Sequence, residues 1–135
     1  MSLGLSADQL NLANTTDVAI IWDVETYDTD AYHDGVNPTR MTAPSDGYYL
    51  ITGNVGFYNL GGATALLFGY SISAGGKVRL ARRDDGGFNT NQVIAFTRVL
   101  ALTSGQYIEL WAQIIGVATG DLRAVYTTAQ LTKVG

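Results

Sequence analysis

The residues best suited to chemistry are one histidine and a run of carboxylates in the first third of the sequence. His33 stands beside Asp34 in Tyr32-His33-Asp34-Gly35, so a serine added to that pair would complete a hydrolytic triad. No Gly-x-Ser-x-Gly segment presents such a nucleophile, and the chain has no cysteine to replace it. Asp23, Glu25, Asp28 and Asp30 could supply the paired carboxylates of a glycosidase. On the polar side of an amphipathic strand and its loop, they read instead as solvated groups. The loop from Asp28 to Asp34 has the oxygen ligands that calcium takes, but Tyr32 stands where an EF-hand needs a third acidic or amide ligand. The expectation is a chain that is not an enzyme, with no catalytic residue, no metal and no cofactor.

Two other groups suit binding rather than catalysis. Arg79, Arg82, Arg83, Asp84 and Asp85 lie around the turn Asp85-Gly86-Gly87, as a loop tip that grips a protein by charge pairs or as an ordinary charged hairpin. Tyr107 and Trp111 fall on the outward side of a strand whose Ile108 and Leu110 point inward. They are candidates to touch a protein or a sugar ring, or they lie under a long loop. Tyr107, Trp111, Arg82 and Arg83 are thus the candidate partner or glycan contacts.

These side chains need a scaffold, and composition says which kind. The 135 residues fit one domain, and the absence of cysteine excludes a disulfide framework. Charged residues are 15%, hydrophobic ones 47%, and 16 residues are glycine, which suits short strands and tight turns better than solvent-facing helices. The formal net charge is −4 and the eight basic residues form no long run, which argues against a nucleic-acid partner. No apolar stretch approaches the roughly 20 residues of a membrane span. The start, Met1 to Leu5, lacks the basic and apolar regions of a signal peptide.

Alternation with a period of two predicts the strands. Val18, Ile20, Trp22 and Val24 point one way, as do Tyr49, Ile51, Val55 and Phe57. Leu66, Phe68, Tyr70 and Ile72 alternate with Leu67, Gly69 and Ser71, and Ile108, Leu110, Ala112 and Ile114 with Tyr107, Glu109, Trp111 and Gln113. Val93 to Leu102 and Ala124 to Val134 are rich in β-formers but less cleanly two-faced. Turns are expected at Asp46-Gly47, Gly61-Gly62, Gly75-Gly76, Asp85-Gly86-Gly87, Ser104-Gly105 and Thr119-Gly120-Asp121. Ser6-Ala7-Asp8-Gln9 is the one helix-start signal, good for a single turn at most.

In this order of elements the chain resembles the complement-C1q and tumour-necrosis-factor jelly-roll families. Trp22 stands for their first-strand aromatic and Tyr32-His33-Asp34-Gly35 for the loop that follows. Met41-Thr42 replaces Phe-Thr, and Gly47-Tyr48-Tyr49-Leu50-Ile51 matches Gly-x-Tyr-x-Phe in spacing. Val99 to Ile108 is similar to the strand–turn–strand x-Leu-x-Leu-x-x-Gly-Asp-x-Val, with Gln106 in place of Asp. Tyr126-Thr127-Thr128-Ala129 matches the closing Phe-Ser-Gly-Phe poorly. Animal members follow a collagen stalk or secretion signal, neither of which is visible in this sequence. The Thr-rich character looks most like stand-alone copies in bacteriophage structural proteins.

The resemblance implies an all-β, antiparallel two-sheet jelly-roll sandwich of ten strands, assembling as a homotrimer. Residues 1–11 would be an N-terminal arm and residues 12–135 the jelly-roll domain. Placed on the family's pattern, Leu50, Thr52, Ala95, Thr97 and Val99 face the trimer axis. The sequence makes this plausible on its own terms. Ile94, Phe96, Leu100 and Leu102 form one apolar row, broken by Arg98, while Ala95, Val99 and Ala101 form another, so the strand wants cover on both sides. The expected role is a virion structural protein on the particle surface, a phage capsid decoration or head-fibre knob. The alternative is a phage receptor-binding module recognising a bacterial surface glycan or protein, with no nucleic acid and no membrane involved.

Overall fold

The computed structural model describes residues 1–58, 64–71, 76–83, 91–116 and 119–135. They form two antiparallel sheets around one core. The strands are β1 (Ser2–Gly4), β2 (Gln9–Ala13), β3 (Val18–Ala19), β4 (Val24–Tyr27), β5 (Arg40–Thr42), β6 (Gly47–Tyr58), β7 (Thr64–Ser71), β8 (Gly76–Arg83), β9 (Gln92–Leu102), β10 (Tyr107–Ile115), β11 (Thr119–Leu122) and β12 (Thr128–Lys133). One sheet has seven strands in the order β2-β11-β6-β12-β1-β4, with β9 on the free side of β6. The other has five, β3-β10-β7-β8, with β5 also on β10. The fold class is the one the sequence predicts.

The long strands do most of the packing. Tyr49, Ile51, Val55 and Phe57 of β6 are at most 1% exposed, as are Ile108, Leu110, Ala112 and Ile114 of β10. Burying one such side chain contributes about 1.5–3 kcal/mol, so these two rows alone outweigh any polar contact in the domain. The turn that carries the chain from β9 in one sheet to β10 in the other passes through Gly105, whose φ of 84° is unfavourable for a residue with a Cβ. Gln106 stabilises the same turn: its amide oxygen accepts the N–H of Thr103 at 2.8 Å.

Several local expectations differ from what forms. The alternating run Val18 to Val24 is not one strand, because the chain changes sheets within it. Ile20 and Trp22 are fully buried as predicted, but Val24 is 38% exposed on β4. At the crossing, Ile20 N–H donates to Leu110, Trp22 N–H to Pro38 and Asp23 N–H to Gly4, so each backbone group finds a different partner strand or loop. Ser6 starts no helix; its N–H and hydroxyl both donate to the Asp23 carboxylate. Thr119-Gly120-Asp121 is not a turn but part of β11, and Ala124–Tyr126 forms a 3-10 turn ahead of β12. Gly61-Gly62 and Asp85-Gly86-Gly87 lie outside the described residues, as do Ile72 and Gly75.

The arm expected over residues 1–11 is woven into the sheet instead. β1 lies between β12 and β4, and Met1 and Leu3 are 4% and 1% exposed. Burying those two side chains is worth more than leaving the segment free. Among the described residues the ten expected strands become twelve through such short pieces.

Candidate interaction surface

Register decides which side chains share the outward face of the seven-stranded sheet. β6 and β9 pair Tyr48 with Ala101, Leu50 with Val99, Thr52 with Thr97 and Asn54 with Ala95. Directly opposed residues on antiparallel strands point the same way. Leu50, Thr52, Ala95, Thr97 and Val99, set apart in the sequence, therefore form one continuous patch. Leu50 and Thr52 are half-buried and the other three exposed, Val99 at 54%. The core-side row of β9 is buried, except that Arg98 reaches solvent at the sheet edge.

The same face continues across β12, β1 and β4. Thr128, Gln130 and Thr132 stand opposite Asn54, Thr52 and Leu50, while Ser2 and Gly4 meet Gln130 and Thr128. Tyr27 and Val24 of β4 extend the row. None of these side chains carries a charge at neutral pH, although most are exposed. At its centre Thr52, Asn54, Ala95, Thr97, Thr128 and Gln130 line a shallow cleft of about 500 Å³. Thr52 Oγ1 donates to the Phe96 carbonyl at 3.1 Å, so this hydroxyl's proton is already engaged within the chain.

The outward face of the five-stranded sheet is built differently. Tyr107, Trp111 and Gln113 point outward as predicted and are half-buried. Glu109 is only 9% exposed because Thr39 covers it, donating its hydroxyl at 2.6 Å. Trp111 stacks on Tyr70 with centroids 5.4 Å apart and planes 18° from parallel, and Tyr107 lies 4.1 Å under the Arg40 guanidinium. One face of each ring thus already has a neighbour. Lys77 sits 3.9 Å from the Phe68 ring and pairs with Asp17 at 2.5 Å. Arg79, Arg82 and Arg83 belong to β8 rather than to a loop tip, and Arg83 donates to the Val93 carbonyl at 3.4 Å, tying β8 to β9. Asp84 and Asp85 lie outside the described residues.

The acidic loop is engaged in holding itself together. Asp28 accepts the N–H groups of Tyr32 and His33, and Asp34 those of Val36 and Asn37. These bonds hold the Asp34 carboxyl below its ordinary range, the Asn37 N–H most of all. The Ser6 hydroxyl does the same for Asp23, and the Ala124 N–H for Asp8. His33 is 8% exposed at its side chain, 3.5 Å from Glu25 and 3.4 Å from the Pro38 carbonyl. Among the described residues, no three His, Asp or Glu side chains converge as a metal site would require.

Two features escaped sequence reading. The charge-free face runs over five strands, which only the pairing of distant segments reveals. Gln92 is 3% exposed on the core side of β9 and neither of its amide atoms has a hydrogen-bond partner among the described residues, where the Trp22 and Trp111 indole N–H groups are likewise buried without an acceptor. Local sequence carries no sign of either.

No family model matches the chain, and no curated protein matches it in sequence. Solved structures do match. The globular domain of zebrafish complement 1qA protein aligns over 96% of this chain and 98% of its own, at 13% identity and a TM-score of 0.62. Murine APRIL at pH 5.0 aligns over 96% of this chain and 100% of its own, at 16% identity and a TM-score of 0.61. At such identities the likeness speaks to fold alone: the chain has the C1q/TNF-like jelly-roll fold.

Proposed function

We propose that this chain is a non-enzymatic binding protein that works as a homotrimer, as a capsid decoration or head-fibre knob on a bacteriophage particle. The observation that carries the proposal is the exposed face of β6, β9 and β12, which holds Val99, Ala95 and Leu50 and no charge. Interface cores are depleted of charged residues, whereas a face meant for solvent carries them, as the other sheet does with Arg40 and Lys77. Three copies around an axis would each cover this face of the others, and cyclic closure leaves no further copy to add. The place on a phage particle rests on the Thr-rich resemblance.

Light-scattering mass of the purified chain tests the assembly, with three times the chain mass expected and a single-chain mass fatal to it. Binding to intact capsids without binding to cells is expected of a decoration protein. A receptor-binding module is the second reading, favoured by the half-exposed Tyr70–Trp111 stack. It expects binding to host cells that Trp111→Ala weakens sharply.

A further inference from the structure

Charge is segregated between the two flanks of the sandwich. One flank is the pair of edge strands β8 and β9, and the other is β4 with the loop that leads from it to β5. Strands β8 and β9 contain Lys77, Arg79, Arg82, Arg83 and Arg98 and no acid, while residues 23–34 contain Asp23, Glu25, Asp28, Asp30 and Asp34 and no Lys or Arg. Two of these cations are not spent internally: Arg79 and Arg98 are exposed and make no ion pair or hydrogen bond among the described residues. Arg98 is the more telling, since it interrupts a buried apolar row that a leucine would have continued. Cations on an edge strand discourage indiscriminate pairing of the edge. They do not require an acidic flank on the opposite side of the same chain.

We propose that in the assembled ring the Arg79/Arg98 flank of one copy docks on the Glu25/Asp30 flank of the next. The inference rests on the trimer reading above and says how neighbours meet there. A protomer that turns its charge-free face to a threefold axis must present its two flanks to its two neighbours, and they meet head to tail. Opposite charge on the two flanks favours that pairing and disfavours flank-to-reversed-flank contact. Glu25 is available for this, its side chain being 43% exposed beside a pocket of about 360 Å³ whose walls include Trp22, His33 and Pro38. The pocket gives a guanidinium a carboxylate to meet and an apolar wall to lie against.

Charge reversal of each flank tests this on the full chain, by sedimentation over a concentration series. Arg79→Glu with Arg98→Glu cuts the basic flank from five positive charges to a net of one and puts acid against acid at the proposed contact, and Glu25→Lys with Asp30→Lys cuts the acidic flank from five negative charges to a net of one and puts base against base there. Each pair of substitutions should raise the trimer's dissociation midpoint at least tenfold. The quadruple variant should restore it to within a few-fold of wild type, and added salt should weaken the wild-type trimer. Circular dichroism of each variant checks that the fold is kept, and Glu25→Gln with Arg98→Gln serves as a milder pair if a reversal unfolds. A wild-type trimer indifferent to both reversals overturns the flank docking and leaves the trimer standing. A wild type that is a single chain at every concentration removes both.

Discussion

Val99→Asp separates the charge-free face from every other feature of the fold. In a single chain Val99 is 54% exposed, opposite Leu50 on the neighbouring strand. An aspartate there costs that chain about 1 kcal/mol, mainly in β-propensity, because its carboxylate stays in water. In a trimer that buries the face, three carboxylates lose water, and no Lys or Arg on the face can pair with them. At about 3 kcal/mol for each unpaired charge the loss is about 9 kcal/mol, or roughly six decades in the dissociation constant. Because three chains associate, the midpoint concentration rises as the square root, roughly a thousandfold. Sedimentation velocity on wild type and variant reads this directly. Ile115→Asp is the control, an apolar position 40% exposed at the end of the other sheet, and it should leave the mass unchanged. A Val99→Asp protein that stays trimeric with an unaltered midpoint refutes the assignment of this face, as does equal dissociation by Ile115→Asp.

The other predictions concern the single chain. Gln92→Met should stabilise the fold by about 1–2 kcal/mol, since it replaces two unpartnered buried polar atoms with apolar ones of similar volume; urea unfolding should show a higher midpoint at constant slope, and a lower one would mean the amide has a partner. Gly53→Ala should cost about 1–3 kcal/mol, because its Cβ would stand 2.1 Å from the Thr128 carbonyl oxygen and force β6 from β12; an unchanged thermal midpoint would contradict that register. Toward acid, Asp8, Asp23 and Asp34 have lowered folded pKa values, so their stabilisation is full above the ordinary carboxylate range and is lost as pH falls through it. Asp23→Asn should therefore flatten the acid limb of a stability–pH curve. Burial raises the Tyr32 phenol, so its contribution is intact below its ordinary value and declines as pH rises past it. Tyr32→Phe should flatten the alkaline limb, and an unaltered limb would locate the effect elsewhere.

What the sequence determined by itself was local and periodic. Alternation oriented β6 and β10 correctly, so that Tyr49, Ile51, Ile108 and Leu110 are core and Tyr107 and Trp111 face out. A period of two is set by the pleat of each strand, whatever its neighbours are. The composition likewise pointed to an all-β chain, and the order of motifs to the C1q/TNF-like fold that the solved structures share.

Tertiary structure decided whatever depends on partners distant in the chain. Residues 1–11 read as an arm because Leu3 has no local reason to be buried; β12, more than a hundred residues away, supplies one. The alternation through Val24 ended early because the chain crosses between sheets, a change of partner that no spacing encodes. Likewise, Thr52, Thr97 and Gln130 are ordinary polar residues in three separate segments. They become a single uncharged surface only when β9, β6 and β12 come into register, because pairing, unlike periodicity, is fixed by the energy of the assembled sheets.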